Sequence, residues 1–149
     1  MARSEPAASG LQNRVISGGG GLISTLDDVC LFGRMLASRT QLEGRSLISE
    51  ALFTQMLSNQ LPGIAEGPAG FIGSGWGFGF GGAVRLNAGP AAVPAAPGEF
   101  TWSGVTGQSL FVDPARGWFA LMLSSNTASR VMVRFEFRRA VSLDSLLKK

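Results

Sequence analysis

The sequence predicts an α+β fold in which an antiparallel sheet is flanked by helices. Two observations indicate this class. Segments with apolar residues at helical spacing occur early and late in the chain. Between them lie short strand-like segments separated by turns, at 75–86, 99–104, 107–113 and 117–124. The length of 149 residues suits a single domain.

Capping residues mark the first two helices. Ser24 or Thr25 precedes an apolar stripe, and the acidic residues that follow complement the helix dipole, which predicts a helix over 25–38. Ser49 is the predicted cap of a second helix over 50–58. The apolar stripe of the first helix consists of Leu26, Val29, Phe32, Met35 and Leu36.

Residues 73–81 alternate between glycine at odd positions and larger residues, mostly aromatic, at even positions. A period of two predicts a strand with one bare face and one apolar face. The bare face leaves room for another backbone or a large group. We therefore expect one continuous strand over 75–86.

The later part of the chain contains a predicted hairpin and a predicted helix. The sequence from Asp113 to Gly117, DPARG, is typical of a tight turn between two strands. Residues 128–147 show both a strand-like alternation and leucines at helical spacing. We favour a helix on which Arg130, Arg134 and Arg138 share one face. A solvated face is the expected role of these arginines, with contact to an anionic surface as the alternative.

The composition excludes several classes of site. The chain has no histidine, no tyrosine and one cysteine, Cys30, so it cannot by itself form a Ser-His-Asp triad, a histidine zinc site or an internal disulfide. We expect no metal and no cofactor. The modest net charge of +3, without an arginine–aromatic pattern, gives no indication of nucleic-acid binding. No apolar run is long enough to span a membrane and residues 1–10 do not resemble a signal peptide, so the chain as written is expected to be cytoplasmic.

Two matches to functional motifs are interpreted as coincidental. Residues Gly77 to Gly82 fit the dinucleotide-binding pattern G-x-G-x-x-G, but they lie in a strand-like alternation and no helix pattern follows. Ser145 and Lys148 fit S-x-x-K, the nucleophile and base of penicillin-recognising enzymes. They lie where a helix frays, and a preorganised catalytic pocket is not expected there. No catalytic residue is therefore assigned.

Five short segments are distinctive when taken in order: SGGGGLISTLDD with FGRML at 17–36, GRSLIS at 44–49, GWGFG at 75–79, GEFTWSG at 98–104 and FVDP at 111–114. In this order they resemble the serine β-lactamase-like family, which includes class C β-lactamases, penicillin-binding DD-peptidases and family VIII carboxylesterases. The resemblance extends from about Ser17 to Asn126. It implies a partial β-lactamase/transpeptidase-like fold. Residues 1–16 would then be a leader or loop, and 17–149 the C-terminal part of the domain.

The resemblance also implies a substrate-binding strand at Trp102-Ser103-Gly104-Val105, where the family has its Lys/His-Thr/Ser-Gly motif. Tryptophan at the first position is similar to the W-x-G variant of family VIII esterases, and the lost cation weakens the expectation of β-lactam carboxylate recognition. By resemblance, Trp102 lines the acyl pocket and Ser103 hydrogen-bonds the substrate. The backbone N–H of Val105, which follows Gly104, would be an oxyanion donor.

The family's S-x-x-K and Y-x-N motifs precede this region, and no credible counterpart is present here. The resemblance therefore implies the C-terminal portion of a serine hydrolase that, when complete, cleaves a small-molecule ester or amide through an acyl-serine. This chain alone is expected to be inactive, with its nucleophile supplied by an N-terminal partner segment. The alternative is an inactive domain that serves as an interaction or self-associating, homo-oligomeric module, through exposed apolar surface or an open sheet edge.

Overall fold

The computed structural model describes residues 22–39, 41–61, 74–87 and 95–147, without the side chains of 143–147. The predicted leader, the glycine run after Ser17, Lys148 and the side chain of Ser145 lie outside this description. Within the described residues the helices are α1 (Leu26–Ala37), α2 (Glu50–Met56) and α3 (Arg130–Leu147). None of them is long and apolar enough to cross a membrane.

The strands form two antiparallel sheets. A small two-stranded hairpin follows α1, and the five later strands form one sheet in which strands consecutive in sequence are neighbours. The hairpin turn places Glu43 and Gly44 at φ values of 51° and 76°, as a type I′ turn requires. The strands are β1 (Gln41–Leu42), β2 (Arg45–Ser46), β3 (Trp76–Phe78), β4 (Ala83–Arg85), β5 (Phe100–Ser103), β6 (Ser109–Asp113) and β7 (Trp118–Met122). The predicted α+β class is confirmed.

The two predicted helix caps are present. The Thr25 hydroxyl accepts a hydrogen bond from the Asp28 N–H at 3.2 Å, and the Ser49 hydroxyl accepts one from the Leu52 N–H at 3.2 Å. Each cap satisfies a backbone donor that has no partner within the first turn of the helix. These local bonds explain why the starts of α1 and α2 were predictable to within one residue.

The core lies between α1, α2 and one face of the five-stranded sheet. Phe53 of α2 is fully buried there, and register places Phe100 of β5 opposite Val112 of β6 on this face. The buried core residues are Met35, Leu36, Ala37, Phe53, Val84, Phe100 and Val112. This apolar layer fixes α1 and α2 against the sheet.

Only half of the predicted apolar stripe of α1 is buried. Leu26 and Phe32 are about half exposed, whereas Met35 and Leu36 are buried. The last turns of α1 approach the sheet closely, because a Cβ at Gly33 would lie 2.5 Å from the ring of Phe119. The helical spacing of these residues identified the apolar face of α1 but did not show how much of that face the sheet covers.

The predicted continuous strand over 75–86 is wrong, because the segment folds back on itself. β3 and β4 pair antiparallel, and the Gly79 N–H donates to the Gly82 carbonyl at 2.8 Å across the turn between them. Gly81 adopts a φ of 89°, which L side chains rarely adopt. Since strand β4 follows the G-x-G-x-x-G match, the strand–turn–helix context of a dinucleotide site is not formed by these residues.

The opposite face of the sheet is covered by α3. Phe137 packs against Phe111 of β6 with ring centroids 6.0 Å apart, and Arg138 lies over the same ring at 4.5 Å. Arg138 is buried and forms an ion pair with Glu99. The expected solvated arginine face is therefore wrong at Arg134 and Arg138, whose guanidinium groups contact the sheet and its loops.

The two edges of the five-stranded sheet differ. Along β3, the Phe78 carbonyl accepts from the Gln60 N–H at 2.8 Å, and the Phe78 N–H donates to the Asn59 side chain at 3.2 Å. Among the described strands, β7 pairs with β6 alone. The β3 edge is therefore covered, while the β7 edge is open within the described part of the chain.

Candidate functional site

The predicted substrate strand occupies the end of β5. The register between β4 and β5 pairs Ala83 with Thr101 and ends there, whereas the pairing of β5 with β6 continues to Ser103. Trp102 and Ser103 thus extend past the end of β4 while β6 still supports them from the other side. A strand end supported on one side can present backbone groups to a ligand along the other.

Trp102 is fixed by an aromatic contact that the sequence did not suggest. Its ring and that of Phe78 in β3 have centroids 5.1 Å apart and planes at 87°, an edge-to-face arrangement. The Trp102 side chain is nevertheless 39% exposed. It can therefore offer an apolar surface to an acyl group while Phe78 limits its rotation.

Ser103 is engaged with the neighbouring strand. Its hydroxyl lies 2.9 Å from the hydroxyl of Ser109, which is its register partner in β6 and is buried. Either oxygen can donate. Ser109 alternates with Phe111, which contacts α3, so Ser103 and Ser109 lie on the α3 side of the sheet.

A tight turn follows Ser103. The Gly104 N–H donates to the Gln108 carbonyl at 3.0 Å, and the Gly104 carbonyl accepts from the Gly107 N–H at 3.2 Å. A Cβ at Gly104 would lie 2.4 Å from Oε1 of Gln108, so only glycine fits here without displacing that side chain. The turn thus has a fixed place at the end of β5, directly beside Trp102.

Val105 is the first central residue of this turn, and its side chain is 75% exposed. Among the described residues, none accepts a hydrogen bond from the Val105 N–H. An N–H at this position of a turn points outward, away from the turn's own hydrogen bond. The arrangement can therefore donate one hydrogen bond to an oxygen that carries developing negative charge.

One side chain from α3 reaches this turn. The guanidinium of Arg134 donates to the Gly104 carbonyl. Burial, and the charge of Arg130 one turn earlier, lower the pKa of Arg134, but an arginine remains cationic at neutral pH. The sequence showed that Arg134 shares a face with Arg138; nothing local indicated that this face meets the turn.

The structure brings together Trp102, Ser103, Gly104 and Val105 because they are consecutive, and it adds Phe78 and Arg134 from distant parts of the chain. Within the described residues, no group of three or more His, Cys, Asp or Glu side chains could hold a metal ion. The chemistry available at this strand end is hydrogen-bond donation and apolar contact.

The described residues form an α+β fold, with an antiparallel sheet that has helices on both faces. A family model described as Beta-lactamase matches residues 1–143, so the chain belongs to this family. Esterase EstB of Burkholderia gladioli is 46% identical over 56 residues, which are 38% of this chain and 14% of EstB. A solved structure, EstCE1, a hydrolase with promiscuous acyltransferase activity, superposes with a TM-score of 0.57 at 30% identity.

The chain spans a minor part of these relatives. The match with EstCE1 includes 76% of this chain but 28% of EstCE1, and the match with EstB includes 14% of that protein. Family membership thus rests on the match to the family model, and the two relatives are named as an esterase and a hydrolase.

Proposed function

We propose that this chain forms the oxyanion and acyl-pocket wall of a serine hydrolase that cleaves small-molecule esters or amides. Trp102 lines the acyl pocket, and the Val105 N–H donates to the substrate oxygen. The Ser103 hydroxyl hydrogen-bonds the substrate through whichever donor or acceptor site its hydrogen bond with Ser109 leaves unused. The nucleophile and the general base come from a segment outside this chain.

The chemistry assigned to the wall is the stabilisation of charge. The general base takes the proton of a serine hydroxyl as the serine oxygen attacks the acyl carbon, and the π electrons of the carbonyl move to the carbonyl oxygen; the base later returns the proton to the leaving group. When the tetrahedral intermediate collapses, the alcohol or amine leaves with a proton, and water then releases the acid from the acyl-serine. A donor fixed before the reaction stabilises the oxyanion more than the ground-state carbonyl, which lowers the barrier.

The observation that supports this proposal most directly is the Val105 N–H, which has no acceptor among the described residues and lies in a hydrogen-bonded turn beside a partly exposed Trp102. The names of the relatives agree with it, since one is an esterase and the other a hydrolase with acyltransferase activity. The tryptophan favours esters over β-lactams, because it supplies no cation to a substrate carboxylate.

The first test is the intact mass of the pure chain after incubation with a fluorophosphonate and, separately, with a penicillin. We expect no adduct on the chain alone, with circular dichroism showing that it is folded. A stoichiometric adduct on one serine would contradict the proposal, because it would place a complete nucleophilic site in this chain.

The second test adds the missing part. The part of EstCE1 outside its matched region is mixed or co-expressed with this chain, and p-nitrophenyl ester hydrolysis is measured. A Val105→Pro variant removes the N–H but suits the first central position of a turn, and Val105→Ala is the matched control. We expect Val105→Pro to lower kcat about 100-fold, as loss of one oxyanion donor does. Equal activity of the two variants would remove Val105 from the site.

A second candidate function is a catalytically inactive module that self-associates. The open β7 edge favours it, since β7 is five residues long and contains no charge and no proline. Half-exposed apolar residues on α1 add to this surface. Its test is the oligomeric state, which the last prediction of the Discussion addresses.

A further inference from the structure

The carbonyl of Gly104 and the N–H of Val105 are the two ends of one peptide group. This peptide is trans, as are all the peptide bonds described, so its carbonyl and its N–H point in opposite directions within one plane. Groups that bind the Gly104 oxygen therefore also set the direction of the Val105 N–H. Within the described residues two donors bind this oxygen: the Gly107 N–H, at 3.2 Å, and the guanidinium of Arg134.

The donor from Arg134 differs in kind from the one from Gly107, because it is charged. Charge-assisted hydrogen bonds are roughly twice as strong as neutral ones, and a donor on a carbonyl polarises the N–H of the same peptide. Within the described part of the chain no carboxylate forms an ion pair with Arg134, and its Nε is buried without a partner. Its positive charge is therefore directed at the Gly104 oxygen, and no carboxylate among the described residues neutralises it.

We propose that Arg134 is a positioning residue for the oxyanion donor: through the Gly104 carbonyl it orients the Val105 N–H and makes it a stronger donor. This inference rests on the proposed function of the turn. α3 approaches the sheet from one side, and the trans peptide directs the N–H away from α3. Arg134 thus acts from behind the site without contacting the substrate.

A purely structural role for Arg134, that of holding α3 on the sheet, is served by other residues. Arg138 pairs with Glu99 and lies 4.5 Å from the centre of the Phe111 ring, and Phe137 packs against the same ring. These contacts lie one turn further along the helix. Removing the guanidinium of Arg134 should therefore release the Gly104 carbonyl without releasing α3.

The test uses NMR of the full chain labelled with ¹³C and ¹⁵N. Arg134→Gln removes the charge, Arg134→Lys keeps it, and Arg130→Gln removes the neighbouring charge as the matched control. In Arg134→Gln we expect the Gly104 ¹³C′ and Val105 ¹⁵N resonances to move and the Val105 amide to exchange more slowly, since the peptide is less polarised. Arg134→Lys should restore part of the shift, and Arg130→Gln should leave both resonances in place.

Nuclear Overhauser contacts between Phe111 and Phe137 show whether α3 remains docked. If it does, unchanged Gly104 and Val105 resonances in Arg134→Gln would overturn the inference. If Arg134→Gln releases the helix, Arg134→Met takes its place, because its long apolar side chain preserves packing against the sheet while the charge is removed. With α3 docked in that variant, unchanged Gly104 and Val105 resonances would overturn the inference.

Activity of the complemented enzyme gives an independent readout. Arg134→Gln should lower kcat about 10-fold and leave KM within about twofold, because only the transition state uses the stronger donor. Arg134→Lys should recover part of kcat. If the unsubstituted complex is inactive, the proposed function fails, whereas the NMR experiment still tests the effect of Arg134 on the turn.

Discussion

The guanidinium of Arg138 in α3 is buried against the carboxylate of Glu99, with side-chain exposures of 6% and 3%. The pair lies beside Phe111, whose ring faces Arg138 at 4.5 Å. Glu99 immediately precedes β5, so this contact connects the last helix to the base of the strand that ends in the candidate site. Because both charges are removed from water, each one destabilises the folded chain if the other is lost.

Replacing Arg138 with methionine should destabilise the chain by about 3–5 kcal/mol, because it leaves the Glu99 carboxylate buried without its cation. The double variant Glu99→Leu with Arg138→Met should cost much less, since no charge remains buried. Urea unfolding measures both. Arg139→Met, on the exposed side of the same helix, is the control and should stay within about 0.5 kcal/mol. If Arg138→Met were as stable as Arg139→Met, the ion pair between Glu99 and Arg138 would not be what holds α3 on the sheet.

The stability of the chain should depend on pH through Glu99. Burial raises the pKa of Glu99 above its ordinary value of 4.5 and prevails over Arg138 and the Ala96 N–H, which lower it; the nearby Asp113 also raises it. The folded chain therefore holds a proton at Glu99 more tightly than the unfolded chain does. The free energy that this group contributes to folding is fully present below the unfolded pKa and declines as pH rises through the folded pKa.

Urea unfolding between pH 4 and 8 tests this effect in the wild-type chain and in Glu99→Gln, which cannot titrate. The wild type should lose stability relative to the variant as pH rises from about 4.5, the ordinary pKa of this side chain. Parallel stability curves for the two proteins would mean that Glu99 has the same pKa in the folded and unfolded chains.

The glycines between β3 and β4 differ sharply in what a methyl group would meet. A Cβ at Gly79 would lie 2.1 Å from the backbone oxygen of Met56, which α2 holds in place, whereas a Cβ at Gly81 would meet nothing within 4 Å. Gly79→Ala should therefore destabilise the chain by about 3 kcal/mol. Gly81→Ala, strained only by its φ of 89°, should cost about 1–2 kcal/mol. Thermal unfolding of both compares them, and equal losses would show that α2 moves freely away from the hairpin.

The same hairpin shows where prediction from sequence stops. Alternation predicted strand conformation for Trp76 to Phe78 and again near Val84, and both lie in strands. It did not locate the turn, because a glycine in a strand and a glycine in a turn look the same in a period of two. The caps of α1 and α2 were predictable for the opposite reason, since each depends on residues three apart in sequence.

The candidate site likewise contains some residues that could be predicted from the sequence and others that could not. Trp102 to Val105 could be assigned from the sequence because they are contiguous and resemble a known motif. Phe78 and Arg134 could not, since they reach the site through strand order and helix docking. The prediction that the arginines of α3 are solvated was wrong at Arg134 and Arg138, because spacing shows which residues share a helix face but not whether that face is buried.

The β7 edge gives the last prediction, which separates the two candidate functions. Its residues, Trp118 to Met122, are half-buried, apolar and free of charge, and among the described strands β7 pairs with β6 alone. If the edge pairs with a second copy, sedimentation velocity of the pure chain should show association that rises with concentration. Ala120→Lys, at the centre of β7, should abolish this association, since a charge on an edge strand opposes pairing, and Ser125→Lys outside the sheet should not.

A chain that stays monomeric at every concentration, or an Ala120→Lys variant that associates as the wild type does, would exclude the self-associating module. Loss of association when the EstCE1 segment is added would instead indicate that this edge is where the remainder of a complete hydrolase binds.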